Sequence, residues 1–338
     1  MESKKIDFVI SWVDGNNEEW QDLRKQYKKE ETGSDARKRR YRDWNNLHFL
    51  FRGIEKYANW VNHIYLVTPG HYPNWLNKNN DKITVIDQNT IVDKEYIPTF
   101  NNCAVELFIY KIPNLSEQFV YLNDDMFILK KIYPEDFFRD ELPCDTVGLC
   151  PTQAIYSEDG KGVYGIAVMN TRLVAKHFDK KSILKNSRRK LFDIRNGSEI
   201  IKTICMLPFD GITGFSDVHT AYSFLRSTYE EVWSKAEDDL RDTCTYRFRG
   251  EFNVAHWCMR YWQICTGKFA VRSRKFSRFY DLHKAGDESI VEKCIRKHKR
   301  KMICINDNVD CEEDFPKMCT RINSAFNDIF PEKSSFEL

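Results

Sequence analysis

Short apolar runs alternate with helix-like stretches along the first half of the chain, and this alternation restricts the fold more than any other feature. Runs rich in β-branched and aromatic residues predict four strands, at residues 6–13, 64–68, 83–86 and 119–122. Apolar residues at helical spacing predict helices in between, around residues 44–58 and 100–111. Strands and helices in this order are typical of a mostly parallel sheet covered by helices. Such a sheet binds ligands beyond the carboxyl ends of its strands.

The second half of the chain begins with a less regular segment and then becomes helical. Residues 140–210 lack a clear period and contain a basic run, so we interpret them as an insertion. Apolar residues then predict a long helix that begins at Ser216 or Asp217 and reaches Trp233. A helix over residues 253–265, a short strand at 302–305 and a final amphipathic helix before Pro331 complete the expected order.

The composition is that of a globular protein. Among the 338 residues, 42% are hydrophobic and 14% aromatic, which is ample for a large core and excludes a disordered chain. Lys and Arg number 52 and Asp and Glu number 50, and the net charge of +2 argues against a general nucleic-acid binder. No apolar run approaches the roughly 18 residues that span a bilayer, and the N-terminus lacks a signal-peptide layout. We therefore expect a soluble, cytoplasmic protein.

Eleven cysteines are scattered between Cys103 and Cys319. They include no CxxC pair and no Cys/His cluster with zinc spacing. Reduced thiols that pack as small hydrophobic side chains are the favoured interpretation, which agrees with a cytoplasmic protein. Disulfides of a secreted enzyme are the alternative.

Carboxylates and amides follow two of the predicted strands. Asn123, Asp124 and Asp125 come directly after the fourth strand, where a sheet of this class binds ligands. Oxygen ligands at that point suit a hard cation that bridges a nucleotide diphosphate. A strand-end turn with local Asp and Asn caps is the alternative. Asn306 and Asp307 repeat the arrangement after the last predicted strand.

Three further kinds of side chain are chemical candidates. His219 lies in the first turn of the predicted long helix, off its apolar face, where the helix N-terminus favours a neutral imidazole that accepts a proton. Glu106 lies off the apolar side of its helix, one turn after Asn102. Arg247 and Arg249 alternate along a predicted strand, YRFRG, and paired guanidinium groups suit phosphate oxygens. For each of these, an ordinary surface position is the alternative.

Four blocks, in a fixed order, cover about half of the chain. The first is IDFVISWVDGNNEEW, from Ile6. The second runs from Tyr41 through RDWNNLHFLFRGIEKYANWVNHIYLVTPGHYPNWLN to IPTFNNCAVELFIYKIPNLSEQFVYLNDDMF. The third is GFSDVHTAYSFLRSTYEEVW with YRFRG, and the fourth is ICINDN with the closing FPEKSSFE. Together they resemble the Stealth family of sugar-1-phosphate transferases, which includes bacterial capsular and receptor polysaccharide phosphotransferases. The family is related to the catalytic region of the lysosomal-enzyme N-acetylglucosamine-1-phosphotransferase.

The resemblance implies a fold and a domain organisation. The fold would be α/β, with a mostly parallel Rossmann-like (GT-A-like) sheet flanked by helices and a helical middle insertion. Residues 1–338 would form one catalytic domain, with residues 140–210 as a less regular insertion within it.

The resemblance also implies a reaction. A hydroxyl of a lipid-linked oligosaccharide or polysaccharide would attack the phosphorus that carries the sugar of a UDP-sugar. UMP would leave and a phosphodiester would form, with Mg²⁺ or Mn²⁺ as the expected cofactor and no nucleic acid involved. One alternative is an ordinary metal-dependent glycosyltransferase, which attacks the sugar carbon and releases UDP. A second is a non-catalytic protein that binds glycans or nucleotides.

Matching positions in the blocks imply the residue roles. His219 would be the general base, and Arg247 or Arg249 would neutralise charge on the transferred phosphoryl group. Asp124 and Asp125 would hold the metal or the diphosphate, which also makes Asp125 a catalytic residue. The other positions by role are, on the metal side, Asn306 and Asp307; in the nucleotide pocket, Trp12, Asp14 and Gly15; and on the sugar side, Arg52, Asn102 and Glu106.

Three basic runs stand out against the balanced charge, at residues 37–42 (RKRRYR), 180–190 (KKSILKNSRRK) and 296–301 (RKHKRK). Solvated faces are one interpretation. With a lipid-linked acceptor, the runs predict peripheral contact with the inner face of the cell membrane.

Overall fold

The structure is a computed structural model that describes residues 5–28, 42–153, 163–309 and 311–338. Its elements run, in chain order, β1 (Ile6–Ser11), α1 (Glu18–Lys28), α2 (Leu47–Tyr57), β2 (Ile64–Thr68), β3 (Ile83–Asp87), α3 (Asn102–Leu107), β4 (Gln118–Asn123), β5 (Met126–Ile128), β6 (Phe138–Arg139) and β7 (Leu142–Asp145). There follow α4 (Val163–His177), α5 (Lys180–Leu191), α6 (Glu199–Met206), β8 (Tyr222–Leu225), α7 (Arg226–Thr245), α8 (Trp257–Thr266), β9 (Ala270–Val271), β10 (Ser277–Leu282), α9 (Glu288–Arg296), β11 (Met302–Asp307) and α10 (Asp314–Ile329).

Five strands form the central sheet, in the order β3-β2-β1-β4-β8. Strands β1 to β4 are parallel, with Ile10 of β1 opposite Leu66 on one side and Leu122 on the other. Strands β1 and β2 are buried along nearly their whole length, as expected when both faces of a sheet are covered. The predicted mostly parallel α/β sheet is therefore confirmed, and the four predicted strands match β1 to β4 within two residues at each end.

A second sheet adjoins the carboxyl end of β4. Strand β5 begins directly after the turn at Asp124 and Asp125 and pairs antiparallel with β11, which in turn pairs parallel with β10. The backbone N–H of Ile305 donates to the carbonyl of Asp125 at 2.9 Å. The turn between β4 and β5 is thus fixed against β11, which confirms the short strand predicted at residues 302–305.

The long helix predicted from Ser216 is wrong in its first part. Residues Tyr222–Leu225 form β8, which pairs antiparallel with β4, and α7 begins only at Arg226. His219 lies in the loop before β8, with a φ of 40°. The spacing of apolar residues in this segment fits a helix or a strand. In the structure Tyr222 and Phe224 are buried, and the backbone of residues 222–225 forms hydrogen bonds with the edge of β4. Pairing with an otherwise open strand edge therefore decides the conformation.

The strand predicted at YRFRG is also wrong. Residues 246–250 form a loop between α7 and α8, and their backbone satisfies its hydrogen bonds locally and with neighbouring segments. The carbonyl of Arg247 accepts from the N–H of Phe100 at 2.8 Å. Without a strand, Arg247 and Arg249 need not point to the same side.

The segment 140–210 is more helical than irregular, since it carries α4, α5 and α6. Helices α4 and α5 pack against α8. Buried residues of this segment, such as Ile166, Val174 and Leu191, belong to the same hydrophobic cluster as the strands of the central sheet. The predicted helical insertion is confirmed in its helical character, and its status as an insertion within one catalytic domain stays a prediction.

Each of the eleven cysteines is a free thiol, and most of them are buried. This agrees with the prediction of reduced thiols that pack as small hydrophobic side chains. Among the residues that the structure describes, none of the helices has the length and apolar character needed to cross a bilayer.

Candidate active site

A cleft of about 1460 Å³ opens beyond the carboxyl ends of β1 and β4. Most of the predicted site residues line it, although they come from widely separated parts of the chain: Trp12, Asn102, Glu106, Asp124, Asp125, His219, Arg249, Asn306 and Asp307. The position of the cleft follows from the sheet, since parallel strands bring their carboxyl ends to one edge. Four other predicted residues lie outside its described lining: Asp14, Gly15, Arg52 and Arg247.

The turn between β4 and β5 presents two carboxyl groups to the cleft. Burial, reinforced by the charge of Asp125, raises the pKa of Asp124 to about 8. Burial also raises the pKa of Asp125, although the charge of His219 works against this. One carboxylate oxygen of Asp125, Oδ1, is buried and has no hydrogen-bond partner in the described part of the chain. Two carboxylates that repel each other, with one free oxygen, fit a divalent cation.

His219 faces the same turn from the loop before β8. Its Nδ1 lies 3.6 Å from Oδ2 of Asp217 and 3.4 Å from the hydroxyl of Tyr222. The Tyr222 hydroxyl in turn donates to the Asp217 carboxylate at 2.9 Å. These contacts fix the ring through Nδ1 and leave Nε2 as the atom for a substrate.

The charge state of His219 differs from the sequence-based expectation. Burial tends to lower its pKa, but Asp217 and Asp125 outweigh burial and raise it above the ordinary value. A helix N-terminus would have had the opposite effect, and none exists at this position. The proposed base therefore owes its proton affinity to two carboxylates.

A thiol joins this group. Cys304 of β11 is 1% exposed, and its Sγ donates to Oδ2 of Asp125 at 3.1 Å. One ligand atom each from Asp125, His219 and Cys304 lie within 4.8 Å of one another. The predicted partners of Asp125 on this side, Asn306 and Asp307, line the same cleft.

Asn306 and Asp307 are engaged by other side chains. Arg42 donates to both oxygens of Asp307, at 3.0 and 2.7 Å, and the pair is nearly buried. The Asn306 amide donates to Asp281 at 2.7 Å. Their role as metal ligands stays a prediction, and a metal would have to compete with these contacts.

Glu106 is buried, so the alternative of a solvated position is wrong for this residue. It accepts hydrogen bonds from Tyr121 at 3.1 Å and Asn102 at 3.2 Å, and its Oε2 lies 2.7 Å from Nδ1 of His256. Burial opposes ionisation, but His256 and Arg249 lower the pKa of Glu106. His256 lines the cleft, and its Nε2 is buried without a hydrogen-bond partner among the described residues.

The two arginines of the YRFRG segment separate. Arg247 donates to the carbonyl of Pro98 at 2.6 Å and lies over the ring of Tyr27, 4.7 Å from its centroid. Arg249 lines the cleft, and its charge acts on both Glu106 and His219. Arg249 is therefore the better placed of the two for a phosphoryl group.

Trp12 lines the cleft directly after β1, but its neighbours are used locally. The backbone N–H of Asp14 donates to Nε2 of His71 at 2.9 Å, and the carbonyl of Gly15 accepts from Gln21 at 2.6 Å. These contacts hold the loop after β1 in place.

Arg52 lies elsewhere in the molecule. It forms a nearly buried, bidentate ion pair with Glu337, at 2.8 and 2.6 Å, and donates to the carbonyl of Phe330 at 2.8 Å. It therefore anchors the last residues to α2, and the structure does not bring it to the sugar side of the cleft.

Four polar residues of the site were not singled out from the sequence: Asp217, Tyr222, His256 and Cys304. Asp217 entered only as a helix cap, and Cys304 only as one of eleven thiols. No spacing in the sequence brings these residues together, because their proximity depends on how β8, α8 and β11 pack against β4. A strand assignment for residues 222–225 would have placed Asp217 and His219 at one strand end.

Comparisons with known proteins agree on one family. Models of three conserved regions of Stealth proteins match the chain, region 1 over residues 4–32, region 2 over residues 40–144 and region 4 over residues 293–338. The capsular polysaccharide phosphotransferase WcwK of Streptococcus pneumoniae is 36% identical over 99% of this chain and 98% of its own length. The exopolysaccharide phosphotransferase cps2G of Lactiplantibacillus plantarum is also 36% identical, over 98% of this chain and 96% of its own length.

Solved structures give a weaker likeness. The galactosyltransferase LgtC, in complex with donor and acceptor sugar analogues, aligns with 97% of this chain and 98% of its own chain. The TM-score is 0.43 and the sequence identity 7%, which is too low to inform the site.

Proposed function

The chain belongs to the Stealth family of polysaccharide phosphotransferases, and from this membership we propose its donor, acceptor and residue roles. It is an enzyme that transfers sugar phosphate in polysaccharide synthesis. The proposed donor is a UDP-sugar that carries a hexose or N-acetylhexosamine. The proposed acceptor is a hydroxyl of a growing, lipid-linked cell-surface polysaccharide.

The chemistry is the displacement of UMP at phosphorus. The acceptor oxygen bonds to the phosphorus that carries the sugar, and the bond from this phosphorus to the bridging oxygen of UMP breaks. The acceptor proton moves to a base, UMP leaves with the bridging oxygen, and a sugar–phosphate–acceptor diester forms. Positioning and electrostatic stabilisation supply most of the rate in such transfers.

His219 is the proposed base, and its setting is the single observation that carries the proposal. Asp217 and Tyr222 hold the ring through Nδ1, so that Nε2 is left for the acceptor hydroxyl at the edge where Asp125 lies. A carboxylate behind the imidazole stabilises the imidazolium that forms when the proton is taken. The same arrangement recurs in other enzymes in which a histidine removes a hydroxyl proton.

Asp124 and Asp125 are the proposed ligands of Mg²⁺ or Mn²⁺, because the free oxygen of Asp125 and the mutual repulsion of the two groups favour a cation. When bound, the cation would neutralise charge on the donor diphosphate. Arg249 would stabilise the transferred phosphoryl group from another wall of the cleft. Trp12 would border the nucleotide, and Asn102 and Glu106 would contact the sugar.

One assay separates this function from its alternatives. The purified protein is incubated with a panel of UDP-sugars, Mg²⁺ or Mn²⁺ and a lipid-linked oligosaccharide. Release of UMP together with a phosphodiester signal in ³¹P NMR is the expected result. Release of UDP would instead assign an ordinary glycosyltransferase, and donor binding without turnover would assign a binding protein.

A further inference from the structure

A sulfur atom that a magnesium site does not need lies next to Asp125, one of the two proposed cation ligands. Cys304 is buried next to Asp125, which lines the cleft, and its Sγ lies 3.1 Å from Oδ2 of Asp125. Its other neighbour in this group is the imidazole of His219, which comes from a separate loop. The three donors therefore belong to the turn after β4, the loop before β8, and β11, and the fold itself brings them together.

The three donor types suit a different class of cation. Mg²⁺ takes oxygen ligands and holds several waters, whereas thiolate and imidazole favour Zn²⁺ and similar ions. Three ligands around a tetrahedral zinc ion lie about 3.3–3.8 Å from one another, given the usual metal–ligand bond lengths. The ligand atoms here are all within 4.8 Å of one another, so small side-chain adjustments bring them to that spacing.

A free acceptor atom strengthens the case beyond the spacing. Oδ1 of Asp125 is buried without a hydrogen-bond partner in the described chain, while Oδ2 accepts from the thiol of Cys304. Buried polar atoms without a partner are uncommon, and the capacity to bind an ion is one of the few physical reasons for them. Asp217 holds His219 from behind, which is the usual arrangement for an imidazole that binds a metal.

We propose that Asp125, His219 and Cys304 form a binding site for a thiophilic divalent cation of the Zn²⁺ class. On binding, the S–H bond of Cys304 breaks, its proton passes to solvent, and the thiolate coordinates the metal without any redox change. The occupied site engages the imidazole of His219. If His219 is the base, which rests on the proposed function, Zn²⁺ inhibits the transfer that Mg²⁺ supports.

The test uses Co²⁺ as a spectroscopic substitute for Zn²⁺. Exposed thiols would bind Co²⁺ as well, so the experiment starts from the Cys205→Ser, Cys311→Ser background. We expect one equivalent of Co²⁺ to produce visible bands of tetrahedral cobalt and a near-ultraviolet sulfur-to-cobalt charge-transfer band. Added Zn²⁺ should abolish both. Absence of the charge-transfer band in this background would overturn the proposal.

Two variants locate the site. Cys304→Ser should remove the charge-transfer band, whereas Cys265→Ser, which alters an equally buried thiol of α8, should leave it intact. A band that survives Cys304→Ser would overturn the proposal. Should Cys304→Ser fail to fold, His219→Ala decides in its place, with an expected loss of Co²⁺ affinity of at least about tenfold. None of these readouts requires turnover, so a wrong assignment of donor or reaction leaves them unaffected.

Discussion

His219 carries the strongest residue-level prediction. Nε2 is the atom left for the acceptor once Asp217 and Tyr222 hold the ring. His219→Ala removes the proposed base, and we expect kcat to fall by at least about 10²-fold. UDP-sugar binding and the circular dichroism spectrum should stay as in the parent protein, since the ring is not part of the core. His283→Ala, which alters another histidine of the cleft wall, is the matched control and should keep most of the activity.

With His219 as the proposed base, its pKa should set the pH at which the enzyme works. Asp217 and Asp125 raise this pKa, and a base must be unprotonated, so activity should rise with pH through the raised value. Asp217→Asn removes one of the two carboxylates, which lowers the pKa of His219. The acid limb of the kcat profile should then move to lower pH, even if kcat itself falls. Asp238→Asn, on the exposed face of α7, should leave the limb in place; a limb that stays unchanged in Asp217→Asn would contradict the electrostatic account.

Arg52 shows how a residue expected at the sugar side has a structural role. Its bidentate ion pair with Glu337 is nearly buried. Removing one partner therefore leaves the other charge buried and unpaired. Arg52→Ala should lower the free energy of unfolding by about 3 kcal/mol, measured by urea denaturation. Arg241→Ala breaks exposed pairs with Glu237 and Glu95 and should lower the free energy of unfolding far less.

The contribution of the Arg52–Glu337 ion pair to the free energy of unfolding should depend on pH. Burial opposes ionisation of Glu337, but hydrogen bonds and charge from Arg52 lower its pKa below the ordinary value. A carboxyl group whose pKa is lower in the folded than in the unfolded protein stabilises the fold at pH values above its unfolded-state pKa. This stabilisation is lost as the pH falls through the folded-state pKa. The stability difference between the parent and Arg52→Ala should therefore shrink in acid. A difference that stays constant down to acid pH would argue against the ion pair as its cause.

At the scale of elements, α2 lies close against β5. A Cβ on Gly53 would lie 2.8 Å from the carbonyl oxygen of Ile128 and 3.4 Å from its Cβ. Alanine stabilises a helix by about 1 kcal/mol relative to glycine, but overpacking against a backbone destabilises the fold by about 1–3 kcal/mol. Gly53→Ala should thus destabilise the protein, by about 1 kcal/mol net in urea denaturation. Gly211→Ala, which meets no atom within 4 Å, should be close to neutral; a stabilised Gly53→Ala would refute the contact.

Elements buried on both faces were predictable from the sequence. Strands β1, β2 and β4 are mostly apolar and buried almost throughout, as expected for strands covered on both faces. Strand β8 was missed because four residues at the sheet edge give no period of their own, and their spacing also fits a helix. Helix starts shifted for a similar reason: α2 begins at Leu47, three residues after the start predicted at residue 44.

The candidate site was predictable in part. Asp124 and Asp125 could be placed because parallel strands end at one edge of the sheet. The thiol of Cys304 lies 179 residues from Asp125 in sequence, and only the pairing of β5 with β11 brings them into contact. Asp307 was expected to bind the metal, but a guanidinium group 265 residues away in sequence already occupies it. Such long-range partners follow from the packed structure and from no local pattern.

At the scale of the whole molecule, a net charge of +2 conceals an uneven distribution. The run at 37–42 lies outside the described residues except for Arg42, which pairs with Asp307. In α5, Lys180 and Lys190 are held by backbone carbonyls, Met206 at 2.7 Å for the first and Gly267 at 2.6 Å for the second. The cations of α5 that remain exposed are Lys181, Lys185, Arg188 and Arg189.

These four exposed cations are the part of α5 that could contact an anionic membrane surface. Each is worth about 1 kcal/mol near such a surface, so replacing all four by Gln should weaken binding to phosphatidylglycerol vesicles by at least about tenfold in cosedimentation. Binding should also fall with salt and be weak on phosphatidylcholine vesicles. A matched control replaces four exposed cations outside α5, namely Lys78, Lys94, Lys235 and Lys317. Equal losses of vesicle binding in both variants would show that only the net charge matters. No loss of binding in the α5 variant would exclude this helix as the membrane contact.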